Sequence, residues 1–201
     1  MKHLLQTKIK HPGVWHPNGL NTVKTVTSGH AFIDSELPNG GWQSGHIYEV
    51  LAGQHSAVFS LLKLTLKALS QQRRWLVLLN PPKWVLDEIS EMKGLRPEHL
   101  LIVHGRRESD TLWATEQAMR NDNAACILAW PDSLDERDIK RLKLASKGKN
   151  ALSFVFPMED TTASCGSQLK IIAHQHSSDA QKIVLPCLEN NQLDASNDNL
   201  H

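Results

Sequence analysis

The residues WLVLL at positions 75–79 form a continuous apolar run that stops at the turn sequence Asn-Pro-Pro, residues 80–82. A run of this length before a turn is typical of a strand buried on both faces. Residues 83–92 then have helical spacing, and Gly94 is well suited to follow the end of a helix. Residues 100–104 (LLIVH) form another apolar run. The segment therefore predicts a buried strand, a helix and a second buried strand, the repeating unit of a parallel sheet.

The same alternation continues on both sides of this unit. Before it, residues 46–51 (HIYEVL) have strand character, and residues 56–70 form a helical run that is apolar around most of its circumference. After it, a helix begins at the N-cap Ser109 and ends near residue 121, and residues 125–130 (ACILAW) are the next strand. The chain therefore continues to alternate between strands and helices.

The alternation persists toward the C-terminus. The capping box Ser133-Leu134-Asp135-Glu136 opens a helix that ends at Gly148, and residues 151–156 (ALSFVF) are a fifth strand. Residues 168–173 and 182–185 are predicted as late edge strands, and a hairpin would join them.

These patterns predict an α/β fold with one domain, a mostly parallel sheet flanked by helices, and late edge strands. The chain has 201 residues, which is comfortable for one domain. We expect an extended N-terminal arm at residues 1–27, the α/β domain at residues 28–189, and a disordered tail rich in Asn and Asp at residues 190–201.

Composition excludes several classes of protein. The chain has 22 Lys and Arg against 21 Asp and Glu, and a net charge of +1 argues against a nucleic-acid binder driven by overall charge. No apolar run reaches the ~20 residues of a membrane helix. Cys126, Cys165 and Cys187 are odd in number and widely spaced, which predicts free thiols in a cytoplasmic protein. His174 and His176 lack neighbouring ligands, so we expect no metal site.

The loop after the first long strand is where an α/β sheet commonly binds a ligand. A working phosphate loop has the pattern G-x-x-x-x-G-K-[ST], in which the Lys contacts the phosphates. In either alignment of this loop a bulky apolar residue replaces that Lys, Phe59 in one register and Val58 in the other. The degenerate loop consists of Ala52, Gly53, Ser56, Ala57, Val58 and Phe59.

The metal-binding carboxylate of such a site is also missing, because the neighbouring strand ends in Ala129-Trp130-Pro131. Phosphoryl transfer depends mainly on placed charges. The sequence therefore predicts a protein that is not an enzyme and holds no cofactor.

Several segments in order resemble a known family. They are residues 28–34 (SGHAFID), 37–42 (LPNGGW), 45–50 (GHIYEV), 112–120 (LWATEQAMR) and 127–131 (ILAWP). They resemble the RecA-like core of ImuA, an accessory protein of SOS-induced mutagenic translesion synthesis, over about residues 12–173. The resemblance implies a RecA-like domain that works through protein contacts. The partners it implies are an ImuB-type polymerase homologue, an error-prone polymerase subunit and RecA.

The sister family SulA, which inhibits cell division, is the alternative. Arg74-Trp75 at the start of a strand, Gly94-Leu95 and the strand that ends at Trp130 resemble that family. This resemblance implies binding to FtsZ and a block of its polymerisation. Arg74 matches an Arg implicated in holding FtsZ, and Leu79 occupies a comparable position. Residues 37–42 favour ImuA, because SulA chains usually lack this segment, although a Gly-rich turn with a packed Trp42 also explains it.

The predicted helix at residues 133–148 carries the most informative charges. Arg137, Lys140, Arg141 and Lys147 fall on one helical face, and Leu144 lies within this basic face. The face is either simply solvated or docks an acidic protein surface or a DNA backbone, with Leu144 as an apolar anchor. Direct DNA contact would be weak, and the sequence also allows a homo-oligomer.

The helix at residues 109–121 carries four further residues of interest. Trp113 and Met119 are predicted to pack in the core. Glu116 and Arg120 have the i, i+4 spacing of a surface ion pair.

Overall fold

The computed structural model describes residues 24–159, 169–175 and 181–184. The predicted tail and all of the predicted arm except residues 24–27 lie outside these ranges, as do Cys165, Cys187 and His176. Cys126 is a free, buried thiol, and burial raises its pKa to about 12. No helix in the described part of the chain is both long and apolar enough to cross a membrane.

The described residues form nine strands and five α-helices. The strands are β1 (Thr25–Val26), β2 (Trp42–Gln43), β3 (Ile47–Val50), β4 (Trp75–Leu79), β5 (Leu100–Val103), β6 (Ala124–Ala129), β7 (Leu152–Val155), β8 (Leu169–Gln175) and β9 (Gln181–Val184). The helices are α1 (Ala31–Glu36), α2 (His55–Ser70), α3 (Lys83–Glu91), α4 (Glu108–Asn121) and α5 (Glu136–Ser146). Two 3-10 turns lie at Pro38–Gly40 and Pro97–His99.

Seven strands form the main sheet in the order β5-β4-β6-β7-β3-β8-β9. All neighbouring strands from β5 to β8 run parallel, and β9 pairs antiparallel with β8. Strands β1 and β2 form a separate antiparallel pair. The predicted α/β class with a mostly parallel sheet flanked by helices is confirmed.

Two predictions about strand positions are wrong. Strand β8 is not an edge strand, because it lies between β3 and β9. Strand β5 is not buried, because it lies at the edge of the sheet, and Leu101 and Ile102 are 43% and 40% exposed. Strand order is a long-range property that an apolar run does not encode.

Helices cover both faces of the sheet. Helices α2 and α3 pack on the face that includes Leu76 and Leu78 of β4. Helices α4 and α5 pack on the opposite face, which includes Val77 and Leu79. Successive residues of β4 therefore enter two separate cores, which explains why the strand is apolar throughout rather than alternating.

Helix α4 begins earlier than predicted, and helix α5 begins later than predicted. Helix α4 starts at Glu108 with Arg107 as its N-cap, not at Ser109. Helix α5 starts at Glu136, and the N-cap is Asp135, whose carboxylate accepts the Asp138 N–H at 2.7 Å. Ser133 does not cap the helix because its hydroxyl donates to Glu108 at 2.7 Å, a tertiary contact that local sequence does not reveal.

The segment at residues 37–42 builds a tight turn that buries Trp42. Trp42 is 0% exposed, its indole N–H donates to Thr65 at 3.2 Å, and its ring packs edge-on against Tyr48 at 5.0 Å. A Cβ atom on Gly41 would lie 2.7 Å from the Val26 carbonyl oxygen, so the close approach of two backbones needs glycine there. The segment is thus explained by packing.

A polar clasp centred on Asp122 joins three segments at the amino edge of the sheet, where the parallel strands begin. The Asp122 carboxylate accepts the Asn150 N–H and the Asn150 side-chain amide, both at 2.7 Å. Arg74, at the start of β4, donates to the Asp122 carbonyl at 3.0 Å and lies 3.4 Å from its carboxylate. The clasp therefore connects β4, the end of α4 and the start of β7.

The clasp also determines the protonation of Asp122. Burial on its own raises the pKa of this carboxyl, but the hydrogen bonds from Asn150 and the charges of Arg74 and Lys149 outweigh burial. The pKa is therefore held below its ordinary value of 3.8.

We predict that Asp122→Asn lowers the free energy of unfolding at neutral pH by about 1 kcal/mol, because the partly buried donors of Asn150 and Arg74 lose their charged acceptor. Asn keeps the left-handed backbone of this position, where φ is 52°. Since the folded-state pKa of Asp122 is depressed, its stabilisation is present above pH 3.8 and is lost as the pH falls through the folded value. Urea unfolding between about pH 6 and pH 3 measures both effects. If the free energy of unfolding of Asp122→Asn falls as steeply with decreasing pH as that of the unaltered chain, the assignment to Asp122 is contradicted.

Candidate functional site

The carboxyl edge of the sheet, where the parallel strands end, is filled by aromatic side chains. Trp130 and Phe156 stack with ring centroids 4.8 Å apart, and the Phe59 ring lies 6.5 Å from Trp130. Phe59 also meets Trp84 edge-on at 5.5 Å. The three rings of Phe59, Trp130 and Phe156 are 0–2% exposed. The crevice that commonly binds a ligand in α/β folds is therefore filled by side chains of the hydrophobic core.

The degenerate phosphate loop lies at this edge. Gly53 turns with a φ of 81°, and α2 begins two residues later, so Ser56 and Ala57 lie in its first turn. Val58 and Phe59 are both 0% exposed and belong to the core on the α2 side. The residue at the position of the phosphate-binding Lys thus packs inward in either alignment.

An open groove of about 520 Å³ lies beside the loop. It is lined by Gly53, His55, Ser56, Trp84, Asp87, Glu88 and Glu91. Three of these are carboxylates on α3, although Lys83 pairs with Asp87 at 2.7 Å and Lys63 pairs with Glu88. Such a lining opposes a phosphate rather than attracting it. Among the described residues, no group of three His, Cys, Asp or Glu side chains is placed to hold a metal ion.

The two residues taken from the SulA resemblance lie at the two ends of β4. Leu79 is 1% exposed and packs in the core on the α4 and α5 side. The Arg74 side chain is 30% exposed and takes part in the Asp122 clasp. Their role in partner binding stays a prediction. Because Leu79 is buried, it could affect partner binding only indirectly, by changing the position of β4.

The basic face of α5 is partly neutralised within the molecule. Lys140 pairs with Glu136 at 2.9 Å, and Arg141 pairs with Glu116 of α4 at 2.7 Å. Arg137 and Lys147 are exposed, and no ion pair joins either to another side chain in the described ranges. Leu144 lies among these cations and is 72% exposed. The structure therefore places the five predicted residues along α5, from its first turn to its C-cap, with two of the charges already paired.

Glu116 organises the contact between α4 and α5. One of its oxygens accepts from Arg120 at 2.7 Å, and the other accepts from Arg141 at 2.7 Å. These hydrogen bonds hold the pKa of Glu116 below its ordinary value of 4.5. The predicted pair between Glu116 and Arg120 is present, but Glu116 is buried rather than on the surface, and Arg141 is a further partner.

Trp113 is the main residue whose burial was predicted wrongly from the sequence. It was expected in the core and is 61% exposed, whereas Met119 is 1% exposed as predicted. The signal was present in the sequence, because Thr111, Thr115 and Met119 share one helical stripe and Trp113 lies off that stripe. The described structure therefore leaves Trp113 on the outer surface of α4.

Comparison with known proteins identifies the family. The model of the family described as cell division inhibitor SulA matches residues 45–153. The chain is 32% identical to the cell division inhibitor SulA of Serratia proteamaculans over 155 residues, which cover 75% of this chain and 92% of that protein. It is 31% identical to the cell division inhibitor SulA of Yersinia pestis over 135 residues, which cover 66% of this chain and 80% of that protein.

Among solved structures, the crystal structure of SulA from Pseudomonas aeruginosa aligns with a TM-score of 0.46 and 25% sequence identity. The alignment covers 55% of this chain and 96% of that chain.

These matches overturn the prediction of an ImuA-type translesion-synthesis factor, and the ImuB-type homologue, the polymerase subunit and RecA lose their support as partners. The prediction depended on residues 37–42, which lie outside the residues matched by the family model and form a turn that buries Trp42. The matched region instead runs from just before β3 into β7 and includes Arg74-Trp75 and Trp130. The chain belongs to the SulA family of cell division inhibitors.

Proposed function

We propose that this chain inhibits cell division by binding FtsZ and blocking its polymerisation. The observation that carries the proposal is the family match over residues 45–153. The matched region contains the central strands of the sheet and helices α2 to α5. Relatives named as cell division inhibitors align over most of their own length, 80% and 92% in the two cases given above.

The shape of the domain supports inhibition by contact. Its sheet is covered on both faces, so a partner meets helix surfaces and the ends of the sheet rather than a deep cleft. A subunit that grows a filament must offer two complementary surfaces to its neighbours. A protein that covers one of those surfaces stops growth at each subunit it binds and needs no chemistry to do so.

We further propose that the domain derives from a RecA-like core and works without catalysis. Phe59 fills the position of the phosphate-binding Lys in one alignment and is 0% exposed. Trp130 follows the neighbouring strand where a metal-binding carboxylate would lie, and the adjacent groove carries the carboxylates of Asp87, Glu88 and Glu91. The first two features remove groups that hold a nucleotide and its metal ion, and the carboxylates of the groove repel the phosphates.

For FtsZ inhibition, we expect purified chain to abolish polymerisation of FtsZ as the chain approaches a stoichiometric amount. Sedimentation and light scattering in the presence of GTP measure the loss of polymer. An FtsZ-independent polymer such as tubulin is the control, and it should assemble normally. Full polymerisation of FtsZ in a twofold excess of folded chain contradicts the proposal.

The role of Arg74 is testable because two variants weaken the same clasp. Arg74→Gln removes the side chain that matches the FtsZ-contacting Arg, whereas Asp122→Asn leaves that side chain in place. If Arg74 touches the partner, Arg74→Gln should lose at least about tenfold more FtsZ affinity than Asp122→Asn, because arginines often dominate interface energy. Affinity is compared at a temperature where melting curves show both variants folded. Equal losses assign Arg74 to the clasp alone.

The absence of nucleotide chemistry has its own test. We expect no heat of binding for Mg·ATP by calorimetry, and Phe59→Lys should not create it. This change should lower the free energy of unfolding by about 3 kcal/mol or more, because it removes a buried ring and buries a charge. Phe59→Leu is the matched control and should cost about 1 kcal/mol. Saturable ATP binding by the unaltered chain contradicts the non-catalytic proposal.

A further inference from the structure

The charged side chains of the helices are sorted along the direction of the strands. A helix that connects two parallel strands runs back along the sheet, so it begins at the carboxyl edge and ends at the amino edge. The first turns of α4 and α5 are acidic, and the last turns of α2, α4 and α5 are basic. The acidic residues are Glu108, Asp110, Glu136 and Asp138, and the basic residues are Lys67, Arg120 and Lys143. The amino edge is therefore the positive end of the domain.

Three further lysines extend this positive end beyond the helices. Lys147 and Lys149 follow α5, and Lys24 precedes β1. The turn at Gly45 brings these two segments together. The Ser44 N–H donates to the Lys24 carbonyl at 2.8 Å, and a Cβ atom on Gly45 would lie 2.9 Å from the Lys149 carbonyl oxygen. Two lysine-bearing segments that are far apart in the sequence therefore lie side by side at the amino edge.

We define the amino-edge surface by Lys24, Lys143, Lys147 and Lys149. The first and third of these are exposed, and the other two are partly buried. Within the described ranges, no ion pair joins any of the four to a carboxylate. The charge of Lys149 acts on Asp122, but that carboxylate already binds Asn150 and Arg74. The dipole at the end of a helix equals about half a negative charge, so it accounts for at most one of these lysines. The surface therefore keeps positive charge for an external anion.

The chain before Lys24 carries charge of the same sign. Residues 1–23 contain Lys2, Lys8, Lys10 and three histidines, and no Asp or Glu. Lys10 precedes Lys24 by 14 residues, and a chain of that length can span at most about 50 Å. Basic N-terminal arms of this kind often bind nucleic acid. The positive charge of the amino-edge surface is thus continued by the preceding segment rather than cancelled by it.

We propose that the amino-edge surface, together with residues 1–23, binds the phosphate backbone of duplex DNA without reading its sequence. This inference does not depend on the proposed function. Duplex DNA carries one negative charge per about 1.7 Å of its axis, so lysines spread over one edge and the preceding segment can each meet a phosphate. The acidic first turns of α4 and α5 lie at the opposite edge and face away from the bound duplex. An anionic membrane fits less well, because membranes are usually bound by an amphipathic helix that lies flat, whereas α5 meets this surface with its end.

The test variant is Lys147→Gln with Lys149→Gln in the full chain. The fold should persist, because the hydrogen bonds that these two residues donate to the end of α5 come from their backbone N–H groups. The matched control is Lys63→Gln with Lys83→Gln, which removes the same charge from α2 and α3 on the opposite face of the sheet. A second control, Leu144→Ala, removes a 72% exposed apolar side chain of α5 and no charge. Melting curves verify that all three variants are folded.

Affinity for a fluorescein-labelled duplex of about 30 base pairs is measured by fluorescence anisotropy between about 50 mM and about 200 mM NaCl. Each phosphate that is neutralised contributes about −0.9 to the slope of the logarithm of affinity against the logarithm of salt concentration. We expect a slope of about −4 for the unaltered chain, and therefore a loss of affinity of roughly 100-fold over this range. The slope of the test variant should be shallower by about 2, and its affinity at low salt should be lower. Both controls should bind the duplex as the unaltered chain does.

Four results would overturn the inference. The first is no saturable binding of the duplex at the lowest salt concentration. The second is an unchanged slope in the folded test variant, or an equal change in the Lys63→Gln and Lys83→Gln control, which would reflect net charge alone. The third is a loss of affinity in Leu144→Ala, because a phosphate backbone offers this side chain no apolar contact. The fourth comes from phosphatidylcholine vesicles that contain about 30% phosphatidylserine. If the unaltered chain binds these vesicles but not the duplex, and the test variant does not bind them, the surface belongs to a membrane instead.

Discussion

Burial of the parallel sheet on both faces is the constraint on which the rest of the structure depends. A parallel pair of strands needs a crossover connection, and the connecting helices must bury an apolar face against the sheet. In this chain α2 and α3 form one layer, and α4 and α5 form the other. Because these helices cover both faces of the sheet, a partner cannot contact the sheet faces beneath them. Recognition is left to the outer faces of helices and to the edges of the sheet.

The carboxyl edge of the sheet is closed by aromatic side chains. Phe59, Trp130 and Phe156 form a continuous aromatic contact where a crevice would otherwise open. Apolar contacts of this size stabilise the core more readily than an unpaired charge in the same place. The apolar residues Val58 and Phe59, which stand where a phosphate loop would carry its Lys, therefore pack α2 on the sheet. The proposed function, inhibition by contact, does not require a crevice at this edge.

The amino edge of the sheet and the contact between α4 and α5 depend on two acidic residues that work in similar ways. Asp122 connects β4 to the segment before β7, and Glu116 connects α4 to α5. Both carboxylates face cations and have pKa values below their ordinary range. Each of them holds an arginine in place, Arg74 in one case and Arg141 in the other. Internal ion pairs thus position the charged groups that the sequence suggested for partner binding.

The sequence by itself determined the local features of this protein. The apolar run at residues 75–79 matches β4 in full, and Val58 and Phe59 already showed that the phosphate loop lacks its Lys. Such features depend on neighbours within a few residues. Only the tertiary structure decided that β8 lies inside the sheet, that Ser133 bonds to Glu108 instead of capping α5, and that Arg141 pairs with Glu116. These contacts join residues far apart in the chain, and their energies arise only when the elements pack together.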